Sequence, residues 1–322
     1  YEIRLSLVGS EMCIRDSCGG SQGKPSDAGR SDENGRGSMA GKRGRRMKQT
    51  ALLSGYVFQW NMKKGGWAVY VLSILVGVIS AIYRGYTGLA GETSSYRAKG
   101  FLPYELIIDQ SLIPIFFCVG LLALLFLQYM RLRQYRKEGK GIYTFLTLPM
   151  KGKQVADAFL LQSLAMVFLY YALWLVVIVV MYFPMMHWMV SLAAKQEFLM
   201  DDGSILIGID ATRNNGLFLA FLRSEFLSIV YSLDWKAMLC VLCMLCFLGV
   251  CVVYLGLQKY SFITGVLIAA LGIMEPLLLY NDLYRGRLQG DPMQYFWDLL
   301  ILIILISMIL GMRKDFQEPT AR

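Results

Sequence analysis

The chain has 322 residues, of which 56% are hydrophobic and only 17% charged, with a mean hydropathy of +0.47. So little charge cannot cover a soluble domain of this length, and the composition reads as a polytopic membrane protein. A net charge of +9 invites nucleic acid as a partner. The basic residues, however, sit at the ends of apolar runs and form no stripe on a polar domain, which excludes that partner class.

Residues 1–46 stand apart from this pattern. "YEIRLSLVGSEMCIRDS" (1–17) resembles a translated sequencing-library adapter, and the Gly/Ser/Asp-rich tract after it has no hydrophobic period. Composition predicts a disordered leader. "GKRGRR" can be encoded almost wholly by purines, as a translated ribosome-binding site would be, so Met47 is the expected native start. A genuine disordered basic tail is the alternative.

From Met47 onward, "ALLSGYVFQWNMKKGGW" places Leu52, Tyr56, Val57 and Trp60 at helical spacing, followed by Lys63, Lys64 and a Gly–Gly break. The expectation is a short helix lying on the membrane surface, or else a frayed lead-in to the first span. Six apolar runs follow, at about 67–83, 111–130, 158–183, 237–257, 262–280 and 295–312, and none contains Lys, Arg or His. Crossing a hydrocarbon core of about 30 Å takes about 20 helical residues. Runs this uniform predict helices, because alternating barrel strands would leave a period of two. The fold class expected is therefore an all-α polytopic membrane protein with six transmembrane helices over 47–322.

Orientation follows from Lys and Arg. With the N-terminus inside, segments 47–66, 131–157, 258–261 and 313–322 hold 14 such residues in 61. The outer segments 84–110, 184–236 and 281–294 hold nine in 94. Both termini are expected in the cytoplasm. The one long outer loop, 184–236, carries Asp202–Gly203 between two apolar stretches, a hairpin signal. After it, "NGLFLAFLRSEFLSIVYSL" reads as one interfacial helix, since a span there would bury Arg223 and Glu225.

Catalytic chemistry is poorly supported. Cys240, Cys243, Cys246 and Cys251 fall in one apolar run with no His or carboxylate beside them, so helix packing explains them better than metal ligation. His187, the only histidine, lacks a nucleophile or carboxylate partner in "FPMMHWMV". Glu275, before Pro276, and Asp298 are the acids within runs, and Glu275 is a possible translocation-path residue. No G-x-x-x-x-G-K-[ST] occurs, so the chain has no phosphate-cradling loop of its own, and no cofactor is implied.

The loop between the second and third runs carries the most specific signal. "RLRQYRKEGKGIYTFLTLPMKGKQVADAF" (131–159) has seven Lys and Arg around a short apolar helix, with Ile142, Phe145 and Leu146 on one face and Pro149 as its stop. The order of basic run, Gly, apolar helix, Leu148–Pro149, basic residues and long span resembles the permease subunits of type-2 ABC exporters. Ala158–Phe159 stands where many members carry Gly–Lys. The resemblance implies a cytoplasmic coupling helix in this loop, seated on a separate ATPase subunit. Ile142, Phe145 and Leu146 would dock there, with Lys151 and Lys153 setting orientation. It implies a second permease copy or paralogue, the lipid bilayer of a bacterial cytoplasmic membrane as surroundings, and transport driven by ATP hydrolysed elsewhere. A non-transporting sensory or scaffold partner of an exporter, and a secondary carrier using Glu275, remain as alternatives.

Overall fold

The computed structural model describes residues 34–90, 103–137, 151–193, 197–199, 205–207, 216–257 and 292–315. The chain divides into two units, Tyr1–Arg45 and Arg46–Arg322. In the first, the described residues are helical from Asn34. They belong to α1 (Asn34–Asn61), so helix begins before Met47, inside the tract expected to be disordered.

In the second unit α1 is followed by a five-residue π-turn, Met62–Gly66, and then by α2 (Trp67–Ala90). Gly65 adopts φ +116°, which a side chain would resist, and the chain bends there as the Gly–Gly pair predicts. After α2 come α3 (Tyr104–Gln110), α4 (Ile113–Lys137), α5 (Gly152–Ala193), α6 (Leu217–Arg223), α7 (Glu225–Val230), α8 (Trp235–Leu257) and α9 (Pro292–Asp315). Between α5 and α6, β1 (Glu197–Leu199) pairs antiparallel with β2 (Ile205–Ile207), Phe198 opposite Leu206, which is the hairpin expected around Asp202–Gly203. Every other described element is helical.

Among the described residues, four stretches are long and apolar enough to cross a membrane: Met47–Thr87, Ile113–Tyr135, Gly152–Trp188 and Trp235–Leu257. Within the first of these the Gly65 bend leaves α2 as the straight apolar segment. These match four of the six expected runs. The run at 262–280 lies outside the described residues, and the run at 295–312 falls within α9.

Side-chain contacts fix the direction of each helix. Tyr70 meets Met166, Gly77 meets Trp174 and Gly85 meets Met185, so α2 and α5 run parallel. Ser80 bonds the Leu112 backbone near one end of α2, and Asn61 bonds Arg131 beyond the other, so α4 is antiparallel to α2. Ser163 meets Gly249 and Tyr171 meets Tyr231, so α8 is antiparallel to α5. Close approach relies on small residues: a Cβ at Gly120 would stand 2.7 Å from Ser73 Cβ, and one at Gly256 2.6 Å from Leu132 Cβ. Small residues at such crossings are how helices pack where lipid removes the hydrophobic drive.

Three expectations need correction. Helix α5 passes through Pro184 to Ala193 instead of ending at Phe183. Proline removes a single backbone bond, and the extension is held by Met185 buried against Gly85 and by Trp188 stacked on Tyr86 at 6.4 Å. The helix expected over the end of the 184–236 loop is two, α6 and α7, broken at Ser224 (ψ 128°). Ser224 Oγ accepts from Leu227 N–H, while the Asp109 carboxylate accepts from Ser224 Oγ–H (2.6 Å), Glu225 N–H (3.0 Å) and Phe226 N–H (3.1 Å). Both capping acceptors favour a new helix start there. Finally, the apolar face expected on α1 is split: Val57 is buried, but Leu52 and Tyr56 point outward.

Candidate functional site

One end of the bundle gathers the Gly65 bend, the ends of α4, α8 and α9, and the start of α5; it is called the elbow end below. Its organising residue is Arg131, the first residue of the basic loop. The bend frees backbone carbonyls from their helical partners, and carbonyls buried without donors are costly. Arg131, only 9% exposed, supplies the donors. Its Nη1 donates to the Asn61 carbonyl (2.7 Å) and to Asn61 Oδ1 (2.8 Å), and its Nη2 donates to the Lys64 carbonyl. A planar guanidinium holds its donors in a rigid fork that spans separated acceptors, where an ammonium offers its three donors from a single point. Trp60 completes the joint: its ring lies 4.2 Å from Lys64 Nζ and 5.7 Å from Arg131 Cζ, and Tyr135 packs at 5.4 Å from it. α1, the bend and the end of α4 are thus fastened together.

Across from this joint, α5 starts at Gly152. Lys151 occupies the N-cap position, and its N–H donates to Gln154 Oε1 at 3.0 Å, one half of a capping box. The Lys151 carbonyl accepts from Gln154 N–H at 2.8 Å. The side chains of Lys151 and Lys153 are both exposed, so two of the five residues expected to contact a partner are on the surface. Ile142, Phe145 and Leu146 lie outside the described residues, as does Glu275. One turn into α5, Asp157 Oδ1 accepts from Arg313 Nε at 2.8 Å, tying the end of α9 to this face. Both partners are partly solvated, so the pair contributes about 0.2–1 kcal/mol.

Just inside the elbow end lies a polar node. Ser163, fully buried, stands 2.8 Å from Gln128 Oε1 and 2.9 Å from the Gly249 carbonyl. One hydroxyl proton serves one acceptor, and Gln128 Nε2 is left without a partner. Turning the Gln128 amide gives each proton one acceptor: its NH2 donates to Ser163 Oγ, and Ser163 donates to the Gly249 carbonyl. The node joins α4, α5 and α8 by buried hydrogen bonds.

The opposite, cap end is closed by α3, α6 and α7. Tyr104, Ile107 and Ile108 of α3 are fully buried, Tyr104 Oη–H donates to the Ile178 carbonyl at 2.6 Å, and Glu105 pairs with Arg223 at 3.7 Å. Sequence reasoning missed α3, Asp109 and the Arg131 joint. Asn61, next to a Gly–Gly break, was the available signal for the last.

Among the described residues no group of three His, Cys, Asp or Glu side chains could hold a metal ion. His187 is exposed on the far part of α5. The described features at this end are a pinned elbow, exposed lysines and neighbouring helix ends. No protein-family model matches the chain, and neither a curated protein nor a solved structure matches it.

Proposed function

We propose that the chain is the membrane-spanning permease subunit of an ATP-binding cassette exporter. In this reading the elbow end faces the cytoplasm. A separate ATPase docks on the segment between α4 and α5 through Ile142, Phe145 and Leu146, with Lys151 and Lys153 beside them. A second permease copy or paralogue completes the transporter. The observation that carries the reading is the mounting of that segment. It leaves from a helix pinned by Arg131 and returns at a capped helix start bearing two exposed lysines, so a force on it reaches α1, α2, α4 and α5.

Helix directions support six crossings. α8 ends at the elbow end, because Gly256 meets Leu132. α9 also ends there, because Arg313 meets Asp157. Two successive described helices running the same way are compatible with the further span read from the sequence at 262–280. α2 starts and α9 finishes at the same end, as expected for termini on one side.

The test is capture of an ABC ATPase encoded beside this chain, with membrane insertion measured in parallel. Phe145→Ala and Leu146→Asp should release the ATPase, since losing an apolar anchor from such a groove costs about 2 kcal/mol or more. Insertion should be unchanged. Variants that retain the ATPase as well as the parent would overturn the reading.

A further inference from the structure

Helix α1 and the bend after it present two faces. Ser54, Val57, Asn61 and Met62 are buried against the bundle. Lys48, Leu52, Tyr56, Gln59 and Lys63, spaced at i, i+4, i+8, i+11 and i+15, form one outward stripe, exposed throughout. Leu52 is 74% and Tyr56 57% exposed, so the middle of the stripe is apolar and a lysine stands at each end.

Two features identify what covers it. The first is continuity. Beyond Gly65 the exposed face of α2 (Trp67, Val71, Leu72, Leu75, Ile79) must meet hydrocarbon, so α1 lies at the level where the hydrocarbon stops. The second is charge. Residues 34–91 contain no Asp or Glu, and neither does α4. At this end Asp157 is engaged by Arg313. Lys48, Lys63 and Lys64 therefore form a cationic edge without a carboxylate on α1, α2 or α4 to neutralise it. Apolar residues flanked by lysines, at the edge of a lipid-facing wall, fit the boundary of a bilayer that carries negative headgroups.

We propose that this face is a docking surface for anionic phospholipid. Leu52 and Tyr56 sink among the upper acyl chains, and Lys48, Lys63 and Lys64 engage headgroup phosphates. Lys64 is steadied for this by the Trp60 ring beneath its ammonium. The proposal rests on the membrane character of the helices and is independent of any ATPase.

The full chain reconstituted in phosphatidylcholine vesicles provides the test. Tryptophan quenching by brominated phosphatidylglycerol is compared with quenching by brominated phosphatidylcholine at equal mole fraction. A cation near an anionic surface contributes about fivefold in affinity. The parent should favour phosphatidylglycerol by about fivefold or more, and high salt should erode the preference. Lys48→Gln/Lys63→Gln/Lys64→Gln should bring it near unity with helix content and melting temperature unchanged. Lys236→Gln, at the cap end, should leave it intact. A parent that does not discriminate the two lipids overturns the proposal, and that result would assign the lysines to a soluble acidic partner. A triple variant that keeps the preference, or a Lys236 variant that loses as much, overturns it too. Lys151→Gln/Lys153→Gln, which tests ATPase orientation, should leave lipid preference unchanged, so failure here and failure of the permease reading are separable.

Discussion

Arg131→Ala removes the fork that holds the elbow. Three donor contacts are lost, two to buried Asn61 and one to the partly buried Lys64 carbonyl. Hydrogen bonds between membrane helices contribute on average about 0.6 kcal/mol each by double-mutant cycles. Those involving a charged group reach about 1.5 kcal/mol or more in soluble proteins. Three such bonds give about 2–4 kcal/mol, which for a protein of this size lowers the melting temperature by about 5–10 °C. Arg131→Lys keeps the charge but not the planar fork, so its loss should be intermediate. Melting in detergent micelles, followed by helical circular dichroism, measures the global effect. Trypsin gives a local one, because Lys63 and Lys64 are cleavage sites at the bend itself and should be cut faster once it is unpinned. An alanine variant that melts within about 2 °C of the parent, with unchanged cleavage at the bend, would refute the clamp.

Gly65→Ala should cost about 1–2 kcal/mol in the same assay through backbone strain alone, because its Cβ would meet only ordinary contacts at 3.8 Å. Gly55→Ala, on α1 with nothing within 4 Å of a Cβ, should instead stabilise by about 0.5–1 kcal/mol. Gly120→Ala drives a methyl between Ser73 and the Tyr170 hydroxyl, which bonds the Phe117 carbonyl at 3.1 Å; overpacking of this kind costs about 1–3 kcal/mol. Asp109→Ala strips three donors at the start of α7 and should cost about 1–3 kcal/mol. Its effect should concentrate at the cap end, read as faster chymotryptic cleavage near Phe226.

Four of the expected spans were legible because a membrane helix writes itself as a run of apolar residues without cations, and no tertiary partner can alter that requirement. Gly65–Gly66 likewise announced a bend, since no side chain is present to resist a positive φ. Elements whose identity depends on a distant residue were not legible. α6 and α7 read as one helix because the break at Ser224 is made by Asp109, more than a hundred positions away. Pro184 read as a stop because the contacts that carry α5 past it come from Gly85 and Tyr86 on another helix. The apolar positions of α1 read as one face for the same reason: Leu52 and Val57 share a helix, and only packing decides which of them is buried.

The polar contacts are concentrated on α5. Along its length it meets Arg313 at Asp157, Gln128 and Gly249 at Ser163, Tyr70 at the Met166 carbonyl, Tyr231 at the Tyr171 carbonyl and Tyr104 at the Ile178 carbonyl. In hydrocarbon, lipid tails are as apolar as leucine, so apolar area alone does not set which helix lies where; hydrogen bonds and glycine-sized contacts do. α5 therefore fixes the register of the described helices around it. The elbow forms a second fastening, α4 to α1 and α2, and the Tyr70–Met166 bond joins the two. In the permease reading, force on the segment between α4 and α5 has two paths, one through Arg131 and one through the capped start of α5. Because those paths meet at the Tyr70–Met166 bond, the ends of α2, α4 and α5 would shift as one body. Separating the paths is then the sharper experiment. Arg131→Ala should weaken coupling between ATPase and transport while leaving the ATPase bound, whereas Phe145→Ala should lose the ATPase itself. If Arg131→Ala leaves coupling at the parent level in a protein that still folds, transmission runs through α5 alone.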